Sequence, residues 1–224
     1  MYLLTKRIFD FISSIIGLII ISPILIPIMI ALLLTGEHYV FYFQKRIGYK
    51  NEKFSIWKFA TMLKNSPNIG TGSLTVRNDP RVTPVGKYLR KSKVNELPQL
   101  INVLIGNMSF VGPRPQMQVD FDAYSDDVQA KIYDSKPGIT GIGSIFFRDE
   151  EKYLTETKLA PKEFYKIHIA PYKGALELWY LENRSFFVDF KLLLLTFLVI
   201  PFPESNFLFS WFKNLPPVPE IFKK

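Results

Sequence analysis

The residues best equipped for chemistry lie within Gly86–Pro115, GKYLRKSKVNELPQLINVLIGNMSFVGPRP. Lys87, Arg90, Lys91 and Lys93 set four cations ahead of Asn95 and Glu96. Leu97, Leu100, Ile101 and Leu104 then recur at helical spacing. Asn95 reads as the N-cap of that helix, Pro98 falls in its first turn, and Gly106 supplies the stop. Free N–H groups and the helix dipole both favour anions, so a basic segment feeding a helix N-terminus suits phosphate. Arg114, in Val-Gly-Pro-Arg-Pro, adds a guanidinium on a stiff turn, shaped for paired hydrogen bonds with phosphate oxygens. Each feature also has a plainer explanation: a solvated or lipid-facing cationic surface, an ordinary cap, a rigid corner. Only the combination lifts a phosphate site level with those explanations.

The elements that must hold these residues are legible in outline. Lys6 and Arg7 precede an uncharged run from Phe11 to Leu34, which as one helix would reach roughly 36 Å, enough to cross a bilayer. Ser22-Pro23 and Pro27 interrupt the run, and Lys45 and Arg46 follow it, so cations flank both sides. The positive-inside rule then gives no direction. A helix that enters the membrane, bends at Ser22-Pro23 and returns to the same face meets both facts, with the Ser22 hydroxyl a candidate partner for a freed carbonyl. An ordinary kinked span is the alternative. Between Tyr39 and Met62, β-formers flank a turn at Gly48–Asn51, predicting a hairpin that carries Lys58. Residues 65–72 read as a loop, 78–84 as non-helical because of their prolines, 120–134 as a short amphipathic helix and 173–183 as a helix. Leu192–Ile200 is apolar but too short to span, so it is a buried or interfacial helix. Phe207, Phe209, Trp211 and Phe212 beside Lys213 suit an interfacial anchor or a tail packed on the domain.

From Leu89 to Pro115 the chain resembles the signature of the bacterial sugar transferases, monotopic phosphoglycosyl transferases that begin glycan assembly on polyprenol phosphate. Their pattern is close to L-R-K-x-x-x-D-E-L-P-Q-L-x-N-V-L-x-G-D-M-S-x-V-G-P-R-P. The likeness extends over most of the chain, through Gln44, Arg46, Gly48, Lys58, Phe59, Thr61 and Met62, and through Lys136-Pro-Gly-Ile-Thr-Gly141. There are departures. Asn95 stands where the family carries its nucleophilic aspartate, and Asn107 replaces a second aspartate. Ile142–Glu151 replaces a Trp-Ala-Gln-Val-Asn-Gly-Arg loop and introduces Asp149, Glu150 and Glu151, whose plainer role is favourable charge at a helix N-terminus.

The fold class expected is α+β: an N-terminal re-entrant membrane helix, then a small, mostly helical cytoplasmic domain with a short β-hairpin and interfacial amphipathic helices. Residues 1–38 would be the membrane-inserted part, 39–185 the catalytic domain, and 186–224 the interfacial helix and aromatic tail. The activity implied by the resemblance is transfer of a phospho-sugar from a UDP-sugar to polyprenol phosphate with Mg²⁺, at the cytoplasmic face of the bacterial inner membrane. Arg90, Asn95 and Glu96 would occupy the catalytic position, with Glu96 also the metal carboxylate. Lys58, Arg114, Asp149 and Glu150 would face the substrates. Membrane lipids are further partners, and a homodimer is compatible with all of this.

Composition agrees with that reading and removes others. A net charge of +8 calls for an anionic partner, but no base-stacking or helix-turn-helix signature points to nucleic acid. The absence of cysteine excludes disulfides and thiolate metal sites, and two histidines, His38 and His168, argue against a zinc centre. No Gly-x-Ser-x-Gly elbow is present for a serine hydrolase. The competing class is a catalytically silent relative that binds lipid or sugar nucleotide as a membrane scaffold, and Asn95 is the residue that favours it.

Overall fold

A computed structural model describes residues 1–70, 74–202 and 205–223. Helix α1 is Tyr2–Leu34, 33 residues and largely apolar, about 50 Å long at the standard helical rise. Its length and composition are sufficient to cross a membrane. Pro23 cannot donate to the carbonyl of Ile19, and the Ser22 hydroxyl donates to that carbonyl instead, at 2.8 Å. Helical conformation therefore continues through the expected bend and through Pro27. Both ends of α1 touch the same body. Near its start, Arg7 donates to the carbonyls of Val103 (2.6 Å) and Leu104 (2.8 Å), and Asp10 accepts from the Phe110 amide at 3.1 Å. Near its end, Leu25, Ile28, Met29 and Leu32 pack with Phe59 and Leu89.

The hairpin forms as the sequence predicts. Strands β1 (Phe41–Ile47) and β2 (Lys53–Phe59) pair antiparallel with Tyr42 opposite Lys58 and Gln44 opposite Ile56. Lys50 and Asn51 take positive φ in the turn. The loop expected at 65–72 contains a 3₁₀ turn, Ser66–Asn68, and its last two residues lie outside the described residues.

The motif segment differs from expectation at its start. Pro84 opens a helix, α2 (Pro84–Lys91), because proline is tolerated at the first helical position and the Thr83 hydroxyl accepts from the Gly86 amide at 3.1 Å. Lys87, Arg90 and Lys91 thus ride on their own helix. Lys93 turns the chain with φ 60°, and Asn95 sits inside a 3₁₀ turn, Val94–Glu96. Helix α3 begins only at Gln99 and runs to Ile105, with Pro98 at its N-cap position. Asn95 is therefore not the cap of α3. The Gly106 stop is correct, with φ 94°. Asn102, fully buried on α3, accepts from the Trp57 amide and donates to the Ser55 carbonyl, both at 2.8 Å, and so fixes α3 against β2.

Strand β3 (Ser109–Val111) pairs in parallel with β4 (Gly138–Thr140), Ser109 beside Gly138 and Val111 beside Thr140. Gly112 N donates to Thr140 O at 3.0 Å and Gly138 N to Pro113 O at 2.9 Å, which anchors the turn ahead of Arg114. The single helix expected at 120–134 is instead two, α4 (Gln118–Phe121) and α5 (Asp126–Lys131). Helices α6 (Ile142–Phe146), α7 (Glu150–Glu156) and α8 (Pro161–Phe164) follow, and a π-turn at Tyr165–Ile169 leads into α9 (Ala170–Asn183). Ile142, Ile169, Leu176 and Tyr180 are core residues of this part. Helix α10 (Phe186–Leu198) buries Leu192 and Leu195 while Phe186, Phe187, Phe190, Leu194 and Phe197 stay exposed along its other side. Helix α11 (Phe207–Trp211) closes the described chain with its tail, burying Leu208, Phe212 and Phe222.

Candidate functional site

A cavity of about 680 Å³ opens between the hairpin, the motif segment and helices α6, α7, α9 and α10. Alternation on β1 sends Tyr42, Gln44 and Arg46 to one side, and all three line the cavity together with Lys58 of β2. The 3₁₀ turn places Asn95 and Glu96 at the same wall, and the β3–β4 pairing brings Arg114 to meet them.

Glu96 is the centre of the charge arrangement. Arg114 donates to both its oxygens, Nη2 to Oε1 at 2.6 Å and Nη1 to Oε2 at 3.3 Å, and Lys58 Nζ reaches Oε1 at 3.3 Å. Burial by itself raises the Glu96 carboxyl, but Arg114 and Lys58 outweigh it and hold the group well below the carboxylate range. Arg114 is raised in turn, chiefly by Glu96. Burial pulls Lys58 down to about 7, Glu96 opposes that shift, and the Arg114, Arg46 and Arg90 guanidiniums add to it. Arg46 is lowered by burial and by Arg114, and its guanidinium donates to Gln44 Oε1 at 2.6 and 3.0 Å and to the Pro115 carbonyl at 3.3 Å. Among the described lining residues, Arg46, Lys58, Arg90, Lys91, Lys93, Arg114, Arg148 and Lys173 outnumber the carboxylates Glu96, Asp120, Glu150 and Glu151. The surplus faces a solvent-accessible cavity, which is what a multiply charged phosphate ligand requires.

Asn95 is buried, and its Oδ1 has no hydrogen-bond partner. Arg90, on α2, lines the cavity and pairs with Glu151 at 3.3 Å. Glu150, in the first turn of α7, also lines it and accepts from Lys173 Nζ at 2.6 Å. Lys173 is almost fully buried on α9, with its ammonium over the rings of Phe147 and Tyr165. Asp149 is separated from these residues. It pairs with Arg77 at 2.6 Å on the exposed surface and does not line the cavity. Of the residues singled out in the sequence, the fold brings together Lys58, Arg90, Asn95, Glu96, Arg114 and Glu150 and leaves Asp149 aside.

Sequence reasoning missed Arg46, Glu151 and Lys173 as cavity residues. Arg46 carried a signal, since Tyr42, Gln44 and Arg46 follow the two-residue period that puts them on one face of the strand. Lys173 carried none, being one cation among apolar neighbours on α9. A further carboxylate, Glu177, lies one turn beyond Lys173, wholly buried against the backbone of Arg114 and Gly143. Burial pushes it up to about 8, against the pull of Lys173. It backs onto the Gly141–Gly143 segment so closely that a Cβ at Gly143 would lie 2.4 Å from Glu177 Oε1.

No cluster of three or more His, Cys, Asp or Glu suited to a metal occurs among the described residues. Both Glu96 oxygens are engaged by cations. These residues fit a divalent ion only if a phosphorylated ligand supplies most of its oxygens, which is the usual habit of Mg²⁺.

Comparison with known proteins fixes the class. The model of the bacterial sugar transferase family matches residues 1–202, and this chain belongs to that family. It is similar to the exopolysaccharide production protein ExoY of Rhizobium meliloti, 31% identical over 88% of this chain and 84% of that one. It is also similar to the undecaprenyl-phosphate galactose phosphotransferase of Salmonella typhimurium, 32% identical over 87% of this chain and 40% of the other. A third relative is the UDP-glucose:undecaprenyl-phosphate glucose-1-phosphate transferase of Klebsiella pneumoniae, 35% identical over 85% of this chain and 39% of that protein. The chain therefore spans most of ExoY but about two fifths of the two phosphotransferases.

Proposed function

We propose that this protein transfers a sugar phosphate from a UDP-linked sugar to polyprenol phosphate at the cytoplasmic face of a bacterial membrane, beginning assembly of a surface glycan. The observation that carries the reading is the cavity around Glu96. Its excess of cations over carboxylates suits two phosphorylated ligands meeting there. The relatives named for transfer of galactose phosphate and glucose 1-phosphate to undecaprenyl phosphate have the same class of chemistry. Arg114 and Lys58 would hold the diphosphate of the sugar nucleotide, and Arg90 the phosphate of the lipid. Mg²⁺ would enter with the diphosphate, with Glu96 the carboxylate within reach, and would supply further neutralisation of phosphate charge. Release of UMP that depends on added polyprenol phosphate tests the reading. The silent-scaffold alternative, favoured by Asn95, is tested by the same measurement.

The membrane reading is a re-entrant α1. A helix crossing a bilayer carries its far end roughly 30 Å away from a domain on one side. Here Arg7 and Leu32 both contact the domain, which supports entry and return on one face. The exposed aromatic side of α10 would rest at the same interface. With no native cysteine to interfere, single cysteines at Leu3 and Glu37 should both resist an impermeant thiol reagent in intact cells and react after lysis. Labelling of either one from outside would sink the re-entrant arrangement.

A further inference from the structure

We infer that transfer proceeds by one in-line displacement, the lipid phosphate attacking the sugar-bearing phosphorus directly, with no sugar phosphate held covalently on the protein. This rests on the proposed transfer reaction and specifies its course.

The inference comes from asking which cavity side chain could accept a phosphoryl group. Asn95 lines the site with its side-chain oxygen buried and unbonded, and a neutral carboxamide is not a useful nucleophile. Glu96 has both oxygens committed to Arg114 and Lys58. To attack phosphorus it would have to abandon the contacts that keep those cations neutralised. Glu150 is tied to Lys173 and Glu151 to Arg90. Asp120, the remaining carboxylate among the described cavity residues, lies in the field of the Arg46 guanidinium. Neither histidine lines the cavity, so the Ser144 hydroxyl there has no imidazole base beside it.

The same residues favour an incoming anion. A carboxylate at position 95 would stand beside Glu96 and repel a phosphate dianion. The amide of Asn95 adds no charge and can donate through its NH₂ group to a phosphate oxygen, which a carboxylate cannot. The surrounding cations screen two phosphates brought together, and a phosphate monoester is already anionic at neutral pH.

The step balances without a proton transfer. A non-bridging oxygen of the lipid phosphate forms a bond to the sugar-bearing phosphorus. The bond from that phosphorus to the oxygen shared with the nucleoside phosphate breaks, and its electron pair leaves on that oxygen. The products are the lipid diphosphate sugar and nucleoside monophosphate, with total charge unchanged.

The test uses the full chain in nanodiscs with UDP-glucose or UDP-galactose, undecaprenyl phosphate and radiolabelled UMP. The expected result is transfer with converging double-reciprocal lines for the two substrates. Without lipid, label should enter the UDP-sugar at least about 100-fold more slowly than transfer proceeds, and intact-protein mass should show no sugar-phosphate adduct. Asn95→Asp calibrates the exchange assay, because it restores a carboxylate that can take the phosphoryl group. Transfer by the native chain with lipid-independent exchange, parallel lines or an adduct on any residue overturns the single displacement and leaves the transferase reading standing. Absence of transfer from either sugar nucleotide, with transfer appearing in Asn95→Asp, overturns both.

Discussion

Arg114→Lys should lower turnover by about 100-fold while leaving thermal stability nearly unchanged, and Glu96→Gln should do at least as much damage. Arg114 makes a two-pronged contact with Glu96, at 2.6 and 3.3 Å. An ammonium keeps the charge but loses the planar fork, so it can hold either the carboxylate or a phosphate oxygen but not span both. The Arg114 backbone is held independently, since its carbonyl accepts from the Tyr133 hydroxyl at 3.0 Å, so the turn should survive the exchange. Glu96→Gln removes the carboxylate that both Arg114 and Lys58 bond. Those cations would then repel one another and splay, and phosphates would lose their alignment. The measurement is kcat from nucleoside monophosphate release, beside the melting temperature of each variant. Full activity in Arg114→Lys would return Arg114 to the status of a rigid corner.

Gly138→Ala should destabilise the protein by about 3 kcal/mol, the upper range for overpacking, and lower its melting temperature by roughly 6–12 °C. A Cβ at Gly138 would lie 2.2 Å from Gly112 N, 2.4 Å from Thr140 O and 2.6 Å from Gly112 O. All three are backbone atoms of the β3–β4 pairing, so none can swing away as a side chain would. Relief requires the strands to part, and the turn carrying Arg114 moves with them. Activity should therefore fall together with stability. Gly17→Ala is the control, because its Cβ would meet only the Leu100 Cδ1 at 3.3 Å. Melting temperatures by calorimetry decide the matter, and a Gly138→Ala protein as stable as the Gly17→Ala control would contradict the geometry.

How much of this was readable beforehand depends on the range of the interactions involved. The hairpin, the Gly106 stop and the run of α1 are set by local pattern, and local pattern was enough. The onset of α3 was not. An Asn-Glu pair before an apolar period looks like a cap, but Lys93 in the left-handed region forces a 3₁₀ turn there and delays the helix to Gln99. Pro84 read as a helix breaker because proline carries the same letter at the first helical position as in the interior. Strands of three residues, such as β3 and β4, are too short to display a period, and their pairing joins residues far apart in the chain.

The site was legible to the extent that it lies within the motif. Asn95, Glu96 and Arg114 are motif residues, and Lys58 sits on the predicted hairpin. Glu150 and Asp149 are neighbours in sequence, yet only Glu150 lines the cavity, because successive residues at a helix start point about 100° apart. The pairings of Lys173 with Glu150 and Arg90 with Glu151 depend on how α2, α7 and α9 dock, and no local pattern carries that.

The most direct test of the central claim is release of UMP by the purified full chain. It is incubated in nanodiscs with UDP-glucose and with UDP-galactose, with and without undecaprenyl phosphate. The account predicts UMP in step with a lipid-linked sugar diphosphate from at least one of them, only when undecaprenyl phosphate is present, and largely abolished by Glu96→Gln. No UMP from either sugar nucleotide, or release that ignores the lipid, would contradict it.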